Sequence, residues 1–275
     1  MTQPRPSLPI RLITGLGAKT LGLLTIVGGA TLLAANTARW LGRGLTSPDI
    51  RLGRQAVSAQ IVRVGTRSIA IVLVVSACIG LILAMAMYPP LEQFGQEATI
   101  ANIVAIAISR ELGPMISAIV LTGFAGASIA AELGTMVVGE EIEALEAHAL
   151  NPIRFLVLPR LIATVISLVI LTVMADVVAI LSAAILTVVA FDVSWNVYIA
   201  NTLAELGPWD IGTGLIKAAT FGVMLAALAC YNGLKVSGGA AGVGKATTDT
   251  VVQTIVAVII VDMLFTTIFL QLGWT

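Results

Sequence analysis

Residues 69–88 read IAIVLVVSACIGLILAMAMY, twenty positions without a charge. A bilayer core about 30 Å thick takes about 20 apolar residues of helix to cross, so this stretch has the length of one membrane span. Similar runs follow. Leu112 to Ala131 is uncharged and is preceded by apolar Thr99 to Ser109, with Arg110 and Glu111 between them. Leu161 to Phe191 is broken only by Asp176, Ile211 to Leu234 only by Lys217, and Thr250 to Gly273 only by Asp262. The runs are continuous, without the short alternating segments of a membrane barrel, so helices are expected. The reading is an all-α polytopic membrane protein with five transmembrane helices.

Composition agrees. Hydrophobic residues make up 58% of the chain and charged residues 11%, well below the roughly 25% charged of soluble domains. Fifteen basic and fifteen acidic residues cancel, so no basic excess points to nucleic acid. His148 is the single histidine, which rules out a multi-histidine metal site. Cys78 and Cys230 lie in apolar runs and suggest no disulfide framework. The opening MTQPRPSLPIR lacks the apolar core and small-residue cleavage site of a secretory signal, so none is expected.

Lys and Arg in short loops set orientation. Arg39, Arg43, Arg51, Arg54, Arg63 and Arg67 precede the first span; Arg154 and Arg160 lie in the loop 139–160, and Lys235 and Lys245 in the loop 235–245. The loops 89–98 and 192–210 contain no Lys or Arg. The alternation places the basic segments and the N-terminus in the cytoplasm and the C-terminus outside. A further apolar run, Thr20 to Ala38, contains Gly22, Gly28 and Gly29 and is flanked by Arg11, Lys19, Arg39 and Arg43. It is long enough to span, and its flanks also suit a helix lying in the headgroup plane.

Several features could carry chemistry. Gly239 to Ala246, GAAGVGKA, comes close to a phosphate-binding loop, but Ala246 replaces the hydroxyl residue that holds magnesium and a membrane helix replaces the strand. It is read as a cytoplasmic turn, with the threonines after it starting the last helix. No other nucleotide motif is present, so ATP, if used, is hydrolysed by another chain, and this one carries no catalytic residue and no cofactor.

Arg110 and Glu111 sit inside about forty hydrophobic residues, where a charge costs on the order of 2.5–3.5 kcal/mol unless it pairs or lines a cavity. They mark a polar spot in a substrate pathway or an Arg–Glu bridge within the fold. Pro114 removes a backbone donor and crowds the preceding turn, so a kink or break is expected there. Lys217 either snorkels to the outer headgroups or binds an anionic headgroup. Asp176 and Asp262 each bond a neighbouring helix or touch substrate.

After Pro114, small residues recur every four positions: Gly123, Ala127 and Ala131, and Gly126, Ala130 and Gly134. That spacing lets helix backbones approach closely, within the chain or between two copies. In the loop beyond, Ile142, Leu145 and Ala149 keep helical spacing while Glu140, Glu141, Glu143 and Glu146 project elsewhere, which describes a short amphipathic helix. Its four glutamates suit a protein partner better than the anionic inner leaflet.

Together the blocks Arg110-Glu-Leu-Gly-Pro114, Gly123-Phe-Ala-Gly-Ala-Ser-Ile-Ala-Ala-Glu-Leu-Gly-Thr-Met136, Glu140-Glu-Ile-Glu-Ala-Leu-Glu146, Asn151-Pro-Ile-Arg154, Pro159-Arg160, Gly242-Val-Gly-Lys-Ala-Thr-Thr248 and Asp262 resemble the MlaE (YrbE) permease family of lipid-transporting ABC systems. The resemblance runs from about Val62 to the C-terminus. It implies an N-terminal cytoplasmic or interfacial segment over 1–60, with 20–38 as an elbow helix, and a permease transmembrane domain over 61–275. It implies a permease homodimer or pseudo-dimer, two ABC ATPase subunits below, and an MCE-domain substrate-binding protein above. It also implies, as cargo, phospholipid or a related lipid moved between the bacterial inner membrane and the outer envelope. Glu140–Leu150 becomes the coupling helix that docks into the ATPase, and Arg110, Glu111 and Lys217 match charged positions near the lipid cavity. The chain departs from the family pattern in Val137-Val-Gly139, where a basic residue is usual after the methionine, in Glu140-Glu141, and in Asn151-Pro152 for Asp-Pro. The rival readings are an ion- or proton-coupled transporter or channel relaying through Asp176, Asp262 and Glu111, and a membrane scaffold for an envelope complex.

Overall fold

The computed structural model describes residues 8–46 and 54–273. Arg51, counted among the orientation-setting charges, and both chain ends lie outside the described residues. Among the described residues eleven α-helices run in order: α1 Leu8–Thr46, α2 Arg54–Val64, α3 Ile69–Glu92, α4 Ile100–Ala107, α5 Gly113–Leu121, α6 Ala127–Val138, α7 Glu141–Ala147, α8 Leu158–Ala190, α9 Trp195–Glu205, α10 Pro208–Leu234 and α11 Gly239–Gln271. No strand occurs among the described residues. Six stretches among the described residues are long and apolar enough to cross a membrane: residues 20–43, 55–92, 97–138, 153–190, 208–234 and 239–271. The last five correspond to the five expected spans, to within two residues where an expected span runs past its helix; the first lies within α1.

Helix composition is inverted relative to a soluble bundle. On α8 the buried side carries mostly small residues, Ala163, Ser167, Ala175, Ala179 and Ala183 beside Leu168 and Leu171, whereas Ile170, Val173, Val177, Leu181 and Ile185 face outward. Small residues inside and large aliphatics outside are what a hydrocarbon solvent favours, because helix association there rests on close backbone approach. The α3–α8 contact shows it. Gly80 sits against the Ala179 carbonyl, and the Ser182 hydroxyl donates to the Ala77 carbonyl at 2.9 Å.

Several boundaries differ from the sequence expectation. α3 continues past Tyr88 through Pro89 and Pro90 to Glu92. Both prolines lie in its last turns, and Tyr88 stacks on Phe191 with ring centroids 3.7 Å apart. The expected outer loop 192–210 contains the eleven-residue α9. The expected turn 239–246 is already helical. α11 starts at Gly239 behind left-handed Gly238, so from Gly242 onward the amides of the phosphate-loop lookalike point along the helix into its own bonds. Residues 97–138 form one rod interrupted by π-helical turns at Ile108–Leu112 and Thr122–Gly126, and a third π turn, Ile153–Val157, opens α8. The first of these is the break expected near Pro114: the missing N–H and the ring crowding of Pro114 act on the turn just before it.

Candidate functional site

The Ile108–Leu112 π turn carries Arg110 and Glu111. A π turn rotates the side chains after it relative to a regular helix, and such single turns concentrate at functional positions. The two residues do not bridge each other, which was one of the two expectations for them. Each pairs across to another helix. The Arg110 guanidinium binds the Asp210 carboxylate in the first turn of α10. The other Asp210 oxygen accepts from the Gly207 N–H at 2.7 Å, so one side chain both caps α10 and neutralises Arg110.

Glu111 meets Lys217. The ammonium lies 2.5 Å from Glu111 Oε2, 2.9 Å from Asp262 Oδ1 and 2.9 Å from Thr266 Oγ1. The Thr266 hydroxyl also sits 3.0 Å from Glu111 Oε1. Lys217 does not snorkel to the outer headgroups. Its side chain is 1% exposed and turned into the bundle, because three oxygen partners there offset the loss of hydration. Asp262 proves to be a helix-to-helix contact, joining α11 to α10. The network thus ties the π turn to α10 and α11 through two cations and three carboxylates. Its accessible members are Glu111, with 35% of its side chain exposed, and Arg110 with 24%.

Gly214 makes this closeness possible. A Cβ there would overlap the Ser109 carbonyl oxygen, so only glycine lets α10 lie against the π turn. Asp176 stays outside the network. Its Oδ1 is buried without a hydrogen-bond partner and packs on Gly113.

The small-residue face divides in two. Gly126, Ala130 and Gly134 are buried against α10, α11 and the turn between them: Gly126 faces Leu225 and Thr250, and Gly134 faces Val236. Gly123 is exposed, with nothing within 4 Å of where a Cβ would stand, and Ala127 and Ala131 are only partly covered.

At the opposite end of the bundle α7 extends from α6. It is shorter than the expected 140–150 helix. Glu140 and Ala149 both adopt left-handed backbone, which stops the helix at each side. The Leu150 N–H donates to Leu145 O at 3.0 Å and the Ala149 N–H to Glu146 O at 2.9 Å, the pattern of a helix stop with a left-handed residue after it. Ala149 therefore leaves the apolar face and is exposed. Ile142 and Leu145 remain half-buried, and Glu140, Glu141, Glu143 and Glu146 are exposed.

Sequence reasoning missed three contributors. Asp210 reads as a loop charge, although its place three residues after Gly207, with Pro208 between, is a helix-start pattern. Thr266 gives no signal. Glu132 bridges Arg63 at 2.7 Å and Arg160 at 3.1 Å, joining α2, α6 and α8 at the α7 end. Among the described residues no group of three His, Cys, Asp or Glu side chains is arranged to hold a metal ion.

The family model for permease MlaE matches residues 57–268, which take in the ion network and α7 alike. The chain belongs to the MlaE permease family. Among MlaE relatives, a probable ABC transporter permease protein of Rickettsia felis is 34% identical over 212 residues, covering 77% of this chain and 82% of the relative. The chloroplastic TRIGALACTOSYLDIACYLGLYCEROL 1 protein of Arabidopsis thaliana is 35% identical over 245 residues, covering 85% and 70%. The intermembrane phospholipid transport system permease protein MlaE of Haemophilus influenzae is 29% identical over 268 residues, covering 96% and 99%.

Proposed function

We propose that this chain is the membrane permease subunit of an ABC transporter that moves phospholipid between the bacterial inner membrane and the outer envelope, with ATP bound and hydrolysed by a separate ATPase chain. The observation that carries this reading is the reach of the MlaE match: one family spans both the charged π turn and α7. Residues 61–275 form the permease domain and 1–60 its N-terminal segment.

In this reading the ATPase docks on α7, whose glutamates face outward while Ile142 and Leu145 seat it on the bundle. A second permease copy packs beside the first and encloses a cavity with apolar walls. Arg110 and Glu111 border that cavity and orient the headgroup; buried Lys217 acts through Glu111, holding it in place. An MCE-domain protein receives or delivers lipid at the α9 end. The α7 end faces the cytoplasm, in keeping with Arg63, Arg67, Arg154, Arg160, Lys235 and Lys245 there and with Glu92, Glu97, Asp192 and Glu205 at the other end.

The contacts of α1 support an interfacial elbow rather than a sixth crossing. The Thr25 carbonyl accepts from the Tyr231 hydroxyl at 3.0 Å, and Trp40 stacks under the Arg154 guanidinium at 5.9 Å. Thr25 to Trp40 is about 22 Å of helix. Tyr231 and Arg154 nevertheless lie at the same end of the bundle, so α1 runs across that end.

The test is reconstitution of the permease with its cognate ATPase in vesicles carrying a fluorescent phospholipid. ATP-dependent movement of the lipid, abolished when Arg110, Glu111 and Lys217 are neutralised together, is the expected result. Movement driven by an ion gradient without ATPase would favour the secondary-transporter reading. Transport that survives triple neutralisation would favour a scaffold.

A further inference from the structure

Where α1 crosses the end of α10, a groove of about 580 Å³ opens outward, in the size range of small-molecule and lipid sites. Leu24, Leu32, Leu33 and Leu234 form its apolar walls. Leu24 and Leu32 are each 67% exposed, so these walls have no protein cover among the described residues. Two adjacent glycines shape it. Gly29 lets the Tyr231 ring seat directly on α1, because a Cβ there would overlap the ring. Gly28, one position earlier, has nothing within 4 Å of a Cβ and leaves the groove open.

The polar end of the groove is positive. Lys235 Nζ donates to the Tyr231 hydroxyl at 2.6 Å and stands 4.5 Å from the centre of its ring. Among the described residues no carboxylate lies within ion-pair distance of Lys235. Lys235 also lines an adjoining cleft with Lys245 and Asp249, so the patch holds two lysines against one carboxylate. An apolar slot closed by an ammonium matches an amphiphile with an acidic head.

We propose that this groove binds one acidic phospholipid, its acyl chain between α1 and α10 and its phosphate on Lys235, whose ammonium the Tyr231 hydroxyl holds in place. This site is separate from the Arg110–Glu111 network and does not depend on which lipid the transporter moves. A lipid wedged there fills the space under the elbow and holds α1 against α10. Lysine near an acidic headgroup layer is worth about 1 kcal/mol, and the Tyr231 hydroxyl, accepting from Lys235, pre-places that ammonium at the groove.

The test uses the full chain in nanodiscs of phosphatidylcholine doped with phosphatidylglycerol carrying a photoactivatable acyl chain. Labelled peptides are mapped by mass spectrometry. Labelling is expected within 24–36 and 228–236, competed by unlabelled phosphatidylglycerol and not by phosphatidylcholine. Lys235→Glu is expected to reduce it about fivefold or more, the worth of one lysine beside an acidic lipid. Gly28→Leu, whose Cβ meets nothing within 4 Å and whose side chain takes up groove volume, is expected to reduce it similarly. Labelling on the outward face of α8 around Ile170 and Val177 reports bulk lipid and is expected to stay constant, which shows that the variants are folded. Groove labelling no stronger than that on α8, equal competition by both lipids, or an unchanged signal in Lys235→Glu would each overturn the proposal.

Discussion

Lys217 Nζ and Glu111 Oε2, 106 residues apart in sequence, meet at 2.5 Å inside the bundle, with Asp262 completing the ion cluster 2.9 Å away. One ammonium therefore serves two carboxylates on two other elements. Removing one side of a buried pair strands the charge on the other, which costs more than the pair itself contributes.

Lys217→Met is accordingly expected to destabilise the protein by about 2–3 kcal/mol, less than for a fully buried pair because Glu111 is partly exposed. Glu111→Gln is expected to cost about 1 kcal/mol, since Asp262 still holds the lysine. The double variant should be less destabilised than the sum of the two by at least about 1 kcal/mol. Thermal unfolding in detergent reads all three. Simple additivity would show that Lys217 and Glu111 are not energetically joined.

The spans are legible in the sequence because a long uncharged run suffices to define one, and the expense of Arg110 and Glu111 in hydrocarbon is legible for the same reason. Their partners are not. Pairing Arg110 with Asp210 depends on how α10 is rotated, and Thr266 looks like any threonine in an apolar helix. α7 is shorter than its periodicity suggests because Glu140 and Ala149 take left-handed backbone that non-glycine residues rarely adopt. The start of α11 looks like a turn because its glycines disfavour helix. In the fold, Gly242 packs on the Ser237 carbonyl five residues back, a close local approach of backbone to backbone that only glycine permits.

Two glycine-to-alanine changes separate close packing from mere smallness. In Gly214→Ala the new methyl group would overlap the Ser109 carbonyl, a backbone atom that cannot swing away, so α10 must leave the π turn. The expected cost is about 1–3 kcal/mol together with loss of lipid transport, because both Asp210 and Lys217 move with the helix. Gly123→Ala meets nothing within 4 Å and is expected to leave the isolated subunit's stability unchanged. A thermal shift in Gly123→Ala as large as that in Gly214→Ala would contradict the packing described for the rod.

Tyr198 on α9 is fully buried, its hydroxyl lacks a hydrogen-bond partner, and burial pushes its pKa up to about 12. The unfolded chain releases that proton near pH 10. Between about 10 and 12 the unfolded state thus binds fewer protons than the folded one, so stability falls as pH rises through this window. Tyr198→Phe removes both the unpaired hydroxyl and this alkaline slope. Its unfolding temperature is expected to match or exceed that of the parent at pH 8 and to lead it more clearly at pH 11. A lower value at pH 8 would mean that the hydroxyl has a partner.

On α7 the acidic residues are exposed while Ile142 and Leu145 are half-buried, and the two sets should fail differently. Glu143→Lys with Glu146→Lys changes only exposed side chains, so unfolding temperature is expected to move by no more than surface substitutions do, about 0.5 kcal/mol in stability. Co-purification of the ATPase should nonetheless drop by about tenfold or more, because like charge set against a docking surface slows encounter and destabilises the complex. Leu145→Ala should weaken the complex through a different route, by loosening α7 from its seat, and should also lower protein stability. If charge reversal leaves ATPase recovery intact while Leu145→Ala abolishes it, docking rests on the shape of α7 alone. If neither changes recovery, α7 is not the docking element.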